Sequence, residues 1–95
     1  MRWTWDPRKE RSNRRDHGLG FETARLVFDD PLAASKVDRG STEERWQTIG
    51  MVGSIVIFVA HTWPGMDESG ERVGRIISAR KATRHERKAY EESEF

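Results

Sequence analysis

Residues Gly74–Glu91, GRIISARKATRHERKAYE, pass from an apolar strand to a strongly basic helix with almost no connection between them. Strict alternation along this strand puts Ile76, Ser78 and Arg80 on one face and Arg75, Ile77 and Ala79 on the other, so cationic heads are fixed beside apolar surface. Such guanidinium groups can grip phosphate with two parallel hydrogen bonds. Thr83 followed three residues later by Glu86 is a capping box, which sets the helix start and aims free backbone N–H groups at whatever approaches Arg80 and Lys81, where an anion would be welcome. The plainer alternative is that Arg75, Arg80 and Arg84 form an ordinary solvated face.

Working back from that stretch, Val73–Arg80 reads as the last strand, with a helix from Thr83 to about Glu92 that is apolar only at Ala89 and Tyr90. Ile55–Ala60 is apolar on both faces and predicts a central strand. Ile55–His61 pairs with Arg45–Gly50 as a hairpin across Met51–Ser54. Between these strands and the last one, Thr62–Arg72 is long for a hairpin and broken by Pro64, Gly65 and Gly70, so a flap is expected there. Lys36–Glu44 is polar and reads as loop.

At the N-terminus Arg2–Trp5 alternates as a short strand, and Asp6-Pro7 supplies an N-cap with proline at the first helical position. That helix is expected to run to His17, with Gly18 ending it. From Arg8 to His17 it has no aliphatic or aromatic side chain, so no hydrophobic stripe can seat it. Asn13 and His17 stand one turn apart on it, able either to line a site or to bond a neighbouring loop. Phe21, Ala24 and Phe28 predict a second, core-facing helix stopped by Asp29-Asp30-Pro31. The expected fold class is therefore α+β: a small antiparallel sheet with two N-terminal helices and one C-terminal helix, in one domain spanning residues 1–95.

The net charge of +1 does not mark a nucleic-acid binder. Its distribution is uneven: residues 1–25 carry seven Lys/Arg against four Asp/Glu, residues 26–72 four against eight, and residues 73–95 six against four. The absence of cysteine excludes disulfides and thiolate zinc sites and suits a reducing compartment, the cytoplasm by default. No apolar run is long enough for a membrane span, nor is there a signal-peptide pattern. The three histidines lack ligand spacing and there is no phosphate loop or dinucleotide fingerprint, so neither a metal nor a cofactor is expected.

Cutting RNA without metal needs a base for the 2′-hydroxyl, an acid for the leaving oxygen and cations for the crowded phosphate. Arg75, Arg80 and Arg84 are candidates for the cations, and Glu44, His61, Glu86 and Tyr90 for the proton carriers. His61 has the most suitable ordinary pKa but equally fits a structural histidine at a strand end, and Glu86 and Tyr90, four apart, could simply brace their helix.

Three stretches, WDPRKERSNRRDHGLGFETARLVFDDP, EERWQTIG and RIISARKATRHERKAYE, together resemble the BrnT toxins of bacterial type II toxin–antitoxin pairs. The resemblance implies a fold like that of the RelE ribonucleases, RNA cleavage that arrests translation, and neutralisation by a BrnA antitoxin with a ribbon-helix-helix DNA-binding domain. It also implies a toxin–antitoxin heterotetramer that contacts operator DNA through the antitoxin. Residue by residue, Asp6, Pro7, Lys9, Asn13, His17, Gly18 and Phe21 match the family's first motif. Arg45, Ile49 and Gly50 match its middle strand, and Arg75, Ser78, Ala79, Arg80, Ala82, Glu86 and Tyr90 its last motif. Two departures stand out: Gly20 replaces a helix-capping serine or similar residue, and Thr62–Arg72 is longer than the short turn of the family. The expectation is a metal-independent endoribonuclease in which Arg80 and Arg75 engage phosphate, Arg45, Lys81 and Arg84 bind RNA, and Glu44, His61, Glu86 or Tyr90 moves protons. The rival is a non-catalytic nucleic-acid- or partner-binding module that holds RNA without shortening it.

Overall fold

The computed structural model describes residues 1–40 and 44–95; positions 41–43, part of the expected loop, lie outside them. The order is β1 (Arg2–Thr4), α1 (Pro7–His17), α2 (Phe21–Ala24) prolonged by a 3-10 segment (Arg25–Asp29), β2 (Ala34–Val37), β3 (Trp46–Val52), β4 (Ile55–His61), β5 (Gly65–Met66), β6 (Arg72–Lys81) and α3 (Arg84–Glu91). The sheet runs β1-β6-β4-β3-β2, with β5 added antiparallel to the start of β6. As its sequence predicts, β4 is central, flanked by β3 and β6.

The sheet is mixed, not antiparallel throughout: β1 pairs with β6 in parallel, Trp3 opposite Gly74. A chain that enters a sheet, crosses through helices and the strands β2 to β5, and returns beside its own start can meet it in parallel, because a long connection lies between the two. Gly74 is what lets Trp3 lie down there, since a Cβ at that position would run into the indole ring. Trp3 then stacks on Phe28, centroids 3.9 Å apart.

Lys36 and Val37, the first residues of the expected loop, belong instead to a strand: Ala34–Val37 pairs antiparallel with Trp46–Ile49. Its polar residues hid it, because an edge strand needs only one buried face and few apolar side chains. The segment Thr62–Arg72 is likewise folded, with β5 in it and a turn gathered by Asp67, whose Oδ1 accepts from the N–H groups of Ser69 and Glu71.

One sheet face carries the core. Phe21, Ala24 and Val27 from α2 and its 3-10 extension meet Ile57, Val59, Ile76 and Ala79, each large member contributing about 1.5–3 kcal/mol by burial. Gly50 lies under this layer, where a Cβ would come within 2.9 Å of Val27 Cγ1. Helix α1 sits on the edge of β6 instead, beyond the point where β1 stops pairing. Asn13, 7% exposed, takes the place of a neighbouring strand there. Its amide donates to Ala79 O at 2.7 Å and Leu19 O at 2.9 Å, and its Oδ1 accepts from Ala79 N–H at 3.0 Å. A helix without apolar residues is thus seated by one buried amide that completes the sheet's own hydrogen bonding. Asp6 caps its start and Gly18, at φ 67°, its end.

Candidate functional site

Strict alternation fails in β6, and that failure builds the site. Ala60 pairs with Ser78 but His61 pairs with Ile76, so Ile77 is the extra residue of a β-bulge. Ile76 and Ala79 both reach the core, and their neighbours Arg75, Ser78 and Arg80 therefore share the second face. The sequence pattern had put the two arginines on opposite faces; the bulge brings them to one. Cross-strand partners on that face are Phe58 and Ile49 beside Arg80, and Ala60 and Gln47 beside Ser78.

Arg80 is held rigidly. Its guanidinium lies 4.2 Å from the Phe58 ring centre and makes a two-pronged pair with Glu86, Nη1–Oε1 2.7 Å and Nη2–Oε2 3.0 Å. Glu86 Oε1 also accepts from Thr83 N–H, and Thr83 Oγ1 accepts from Glu86 N–H, closing the capping box the sequence predicts. Hydrogen bonding from Arg80 first, then from the Thr83 backbone, holds the Glu86 carboxyl at about 2; its bond to Glu86 in turn raises Arg80. The box thus anchors α3 and positions Arg80 with one carboxylate. Lys81 and Arg84 flank the pair, both exposed.

The other proton-carrier candidates lie elsewhere. Tyr90 donates to Asp30 Oδ2 at 2.6 Å, which pushes the phenol up to about 12. Asp30 also accepts from Met51 N–H and Leu32 N–H. Burial would raise the Asp30 carboxyl, but these bonds, Tyr90's foremost, hold it below the ordinary value. Asp30 thus ties α3 to β3 and to the turn after α2. Its signal in the sequence was masked by the ordinary reading of Asp-Asp-Pro as a helix stop.

His61 is 1% exposed on the core face, edge-on to Trp3 and Phe28. Its Nδ1 lies 2.7 Å from Thr62 O, a pure acceptor, and its Nε2 2.6 Å from Thr48 Oγ1. Nδ1 therefore carries the proton and Nε2 accepts from the threonine hydroxyl. Burial pushes its pKa down, against the bond to Thr62 O. Such a ring is neutral, saturated and on the face away from Arg75 and Arg80.

Arg75 is exposed, its backbone locked to Thr62 by N–H to Oγ1 and O to N–H contacts of 3.0 Å each. Arg45 is half-buried, its Nε without a hydrogen-bond partner among the described residues, while Glu44 is exposed. The structure therefore unites Arg75, Ser78, Arg80, Lys81, Arg84 and Glu86 along β6 and the start of α3, and sets His61 and Tyr90 apart. Phe58 and Asp30 are the positioning residues the sequence reading missed.

Among the described residues no group of three or more His, Asp or Glu side chains is arranged to hold a metal ion. No helix among them is long and apolar enough to cross a membrane.

A search of curated proteins finds no match to this chain. The family model described as the ribonuclease toxin BrnT of type II toxin–antitoxin systems matches residues 5–86. That span holds Asp6 at the start of α1, the β3–β4 hairpin, the bulged β6 with Arg75 and Arg80, and the capping box down to Glu86. The chain therefore belongs to the BrnT family of ribonuclease toxins, whose type II systems imply an RNA substrate and an antitoxin partner.

Proposed function

We propose that residues 1–95 form one toxin domain that cleaves RNA without a metal ion, on the sheet face where the β6 bulge aligns Arg75, Ser78 and Arg80. The observation that carries this reading is the Arg80 guanidinium, stacked on Phe58 and fixed by Glu86. A pre-oriented cation costs no reorganisation when charge builds on a phosphate, and each such donor contributes about a hundred- to a thousandfold in rate. Arg75 engages the same phosphate, and Arg45, Lys81 and Arg84 track the RNA backbone. Glu86 is anionic and doubly engaged, so it positions Arg80; Tyr90 braces α3, and His61 supports the sheet. Glu44, exposed beside β3, is then the remaining candidate for proton transfer.

Family membership supports the wider reading: a RelE-like ribonuclease fold, arrest of translation in the cytoplasm, and neutralisation by a BrnA-type antitoxin with a ribbon-helix-helix domain. A toxin–antitoxin heterotetramer would then contact operator DNA through the antitoxin. Purified chain incubated with total RNA in EDTA is expected to produce fragments, and Arg80→Ala to lose them while remaining folded, its melting temperature lowered only by the loss of the Glu86 pair.

One observation favours the rival, a non-catalytic RNA-binding module: three of the four proton carriers are already engaged in strong hydrogen bonds. That reading predicts salt-sensitive binding with no shortening of RNA.

A further inference from the structure

A concavity lies on the core face, at the far end of the sheet from α3. It has a volume of about 230 Å³ and is lined mainly by aromatic and apolar groups, among them Trp3, Phe28 and Trp63, with Ser35, His61 and Arg72 as its polar members. Trp63 is 50% exposed, supported from behind by Trp46 at 4.4 Å between ring centres. A half-exposed tryptophan held in place by a second one, with an arginine at the same mouth, is the combination that single-stranded nucleic acid uses: a ring for the base and a cation for its phosphate.

The polar chemistry of the pocket follows from the hydrogen bonds behind it. Thr62 O requires the proton on His61 Nδ1, so Nε2 receives the Thr48 hydroxyl. Ser35 Oγ lies 2.6 Å from Thr48 Oγ1; with the Thr48 proton already given to His61, Ser35 must donate its own to Thr48. Ser35 thus reaches the pocket with lone pairs only. A ligand there meets an acceptor, aromatic walls and a guanidinium, which suits the N–H edge of a nucleobase and the phosphate beside it. The volume lies below the range of drug-sized sites, which fits one base and not a larger ligand.

We infer that this pocket is a base-stacking subsite for one unpaired nucleotide of the RNA substrate, with Trp63 as the platform, Ser35 as acceptor for a base N–H, and Arg72 on the adjoining phosphate. The inference rests on the ribonuclease reading for its ligand, but its test does not depend on cleavage. Fluorescein-labelled deoxynucleotide tetramers, which lack the 2′-hydroxyl and cannot be cut by this chemistry, are titrated with wild type and variants by fluorescence anisotropy at low salt. Wild type binds at least one of the four homotetramers. Trp63→Ala weakens binding about tenfold or more, the usual effect of losing one stacking platform, and Trp63→Phe restores most of it. Ser35→Ala changes the ranking of the four tetramers while melting as wild type does. If no tetramer binds, or if Trp63→Ala binds as wild type does with an unchanged melting curve, the subsite is overturned and the pocket is left to a protein side chain. Tetramer binding that depends on Trp63, in a chain that leaves RNA uncut, upholds the subsite and rejects the ribonuclease reading instead.

Discussion

Glu86 serves two masters, and the two can be separated. Glu86→Gln keeps a side chain that can close the capping box but removes the charge that holds Arg80. Because the folded carboxyl sits at about 2, below its ordinary 4.5, its contribution to stability is present above pH 4.5 and lost as pH falls toward 2. The pair is partly exposed, 35% at Arg80 and 19% at Glu86, so its contribution after solvent screening is about 1 kcal/mol. Urea unfolding of wild type and Glu86→Gln across this range should give curves that converge at low pH; parallel curves would show that the charge is not paired. Tyr90, the chain's one tyrosine, offers a cleaner reading still. Its phenolate absorbance is expected to rise near pH 12 and not near the ordinary 10. The stabilisation its bond to Asp30 gives is complete below 10 and fades between 10 and 12. In Asp30→Asn the midpoint should return toward 10, whereas an ordinary midpoint in wild type would mean that the α3 brace is not made.

At the scale of elements, α1 shows how far a sequence can be read. Its limits were legible because Asp6, Pro7 and Gly18 are local signals whose geometry depends on few neighbours. What holds it was not, because Asn13 acts through Ala79, far away in the chain. Removing that amide leaves a buried N–H and C=O on β6 unpaired, so Asn13→Ala should cost about 2–4 kcal/mol in chemical denaturation. Asn13→Asp should cost at least as much, since a carboxylate cannot donate to Ala79 O. A loss below about 0.5 kcal/mol, typical of a surface site, would contradict the seating. The bulge in β6 was illegible for the same kind of reason: alternation is a property of one strand, but an extra residue is defined only against its partner, here β4. So the basic cluster could be seen in the sequence while the shared face of Arg75 and Arg80 could not. The strand β2 escaped notice because its pairing, not its composition, makes it a strand.

Across the whole molecule, the first and last strands meet at Trp3 and Gly74, so the N-terminal segment is fastened to the same β6 that carries the two arginines. One sheet thereby divides its labour. The core face takes α2 and the aromatic group around His61; the second face takes α3 and the side chains of Arg75, Ser78 and Arg80. The separation explains why candidates that looked equivalent in sequence differ in the fold: His61 and Tyr90 are spent on holding elements together, while Arg80 is held by others and left facing outward. The central claim is that this second face cuts RNA without metal, and its most direct test is the time course of RNA fragment length with purified chain in EDTA, beside Arg80→Ala. Progressive shortening in wild type, slowed about a hundredfold or more in the variant, is the predicted result. Intact RNA in wild type, or shortening at the same rate in a folded Arg80→Ala, would contradict it.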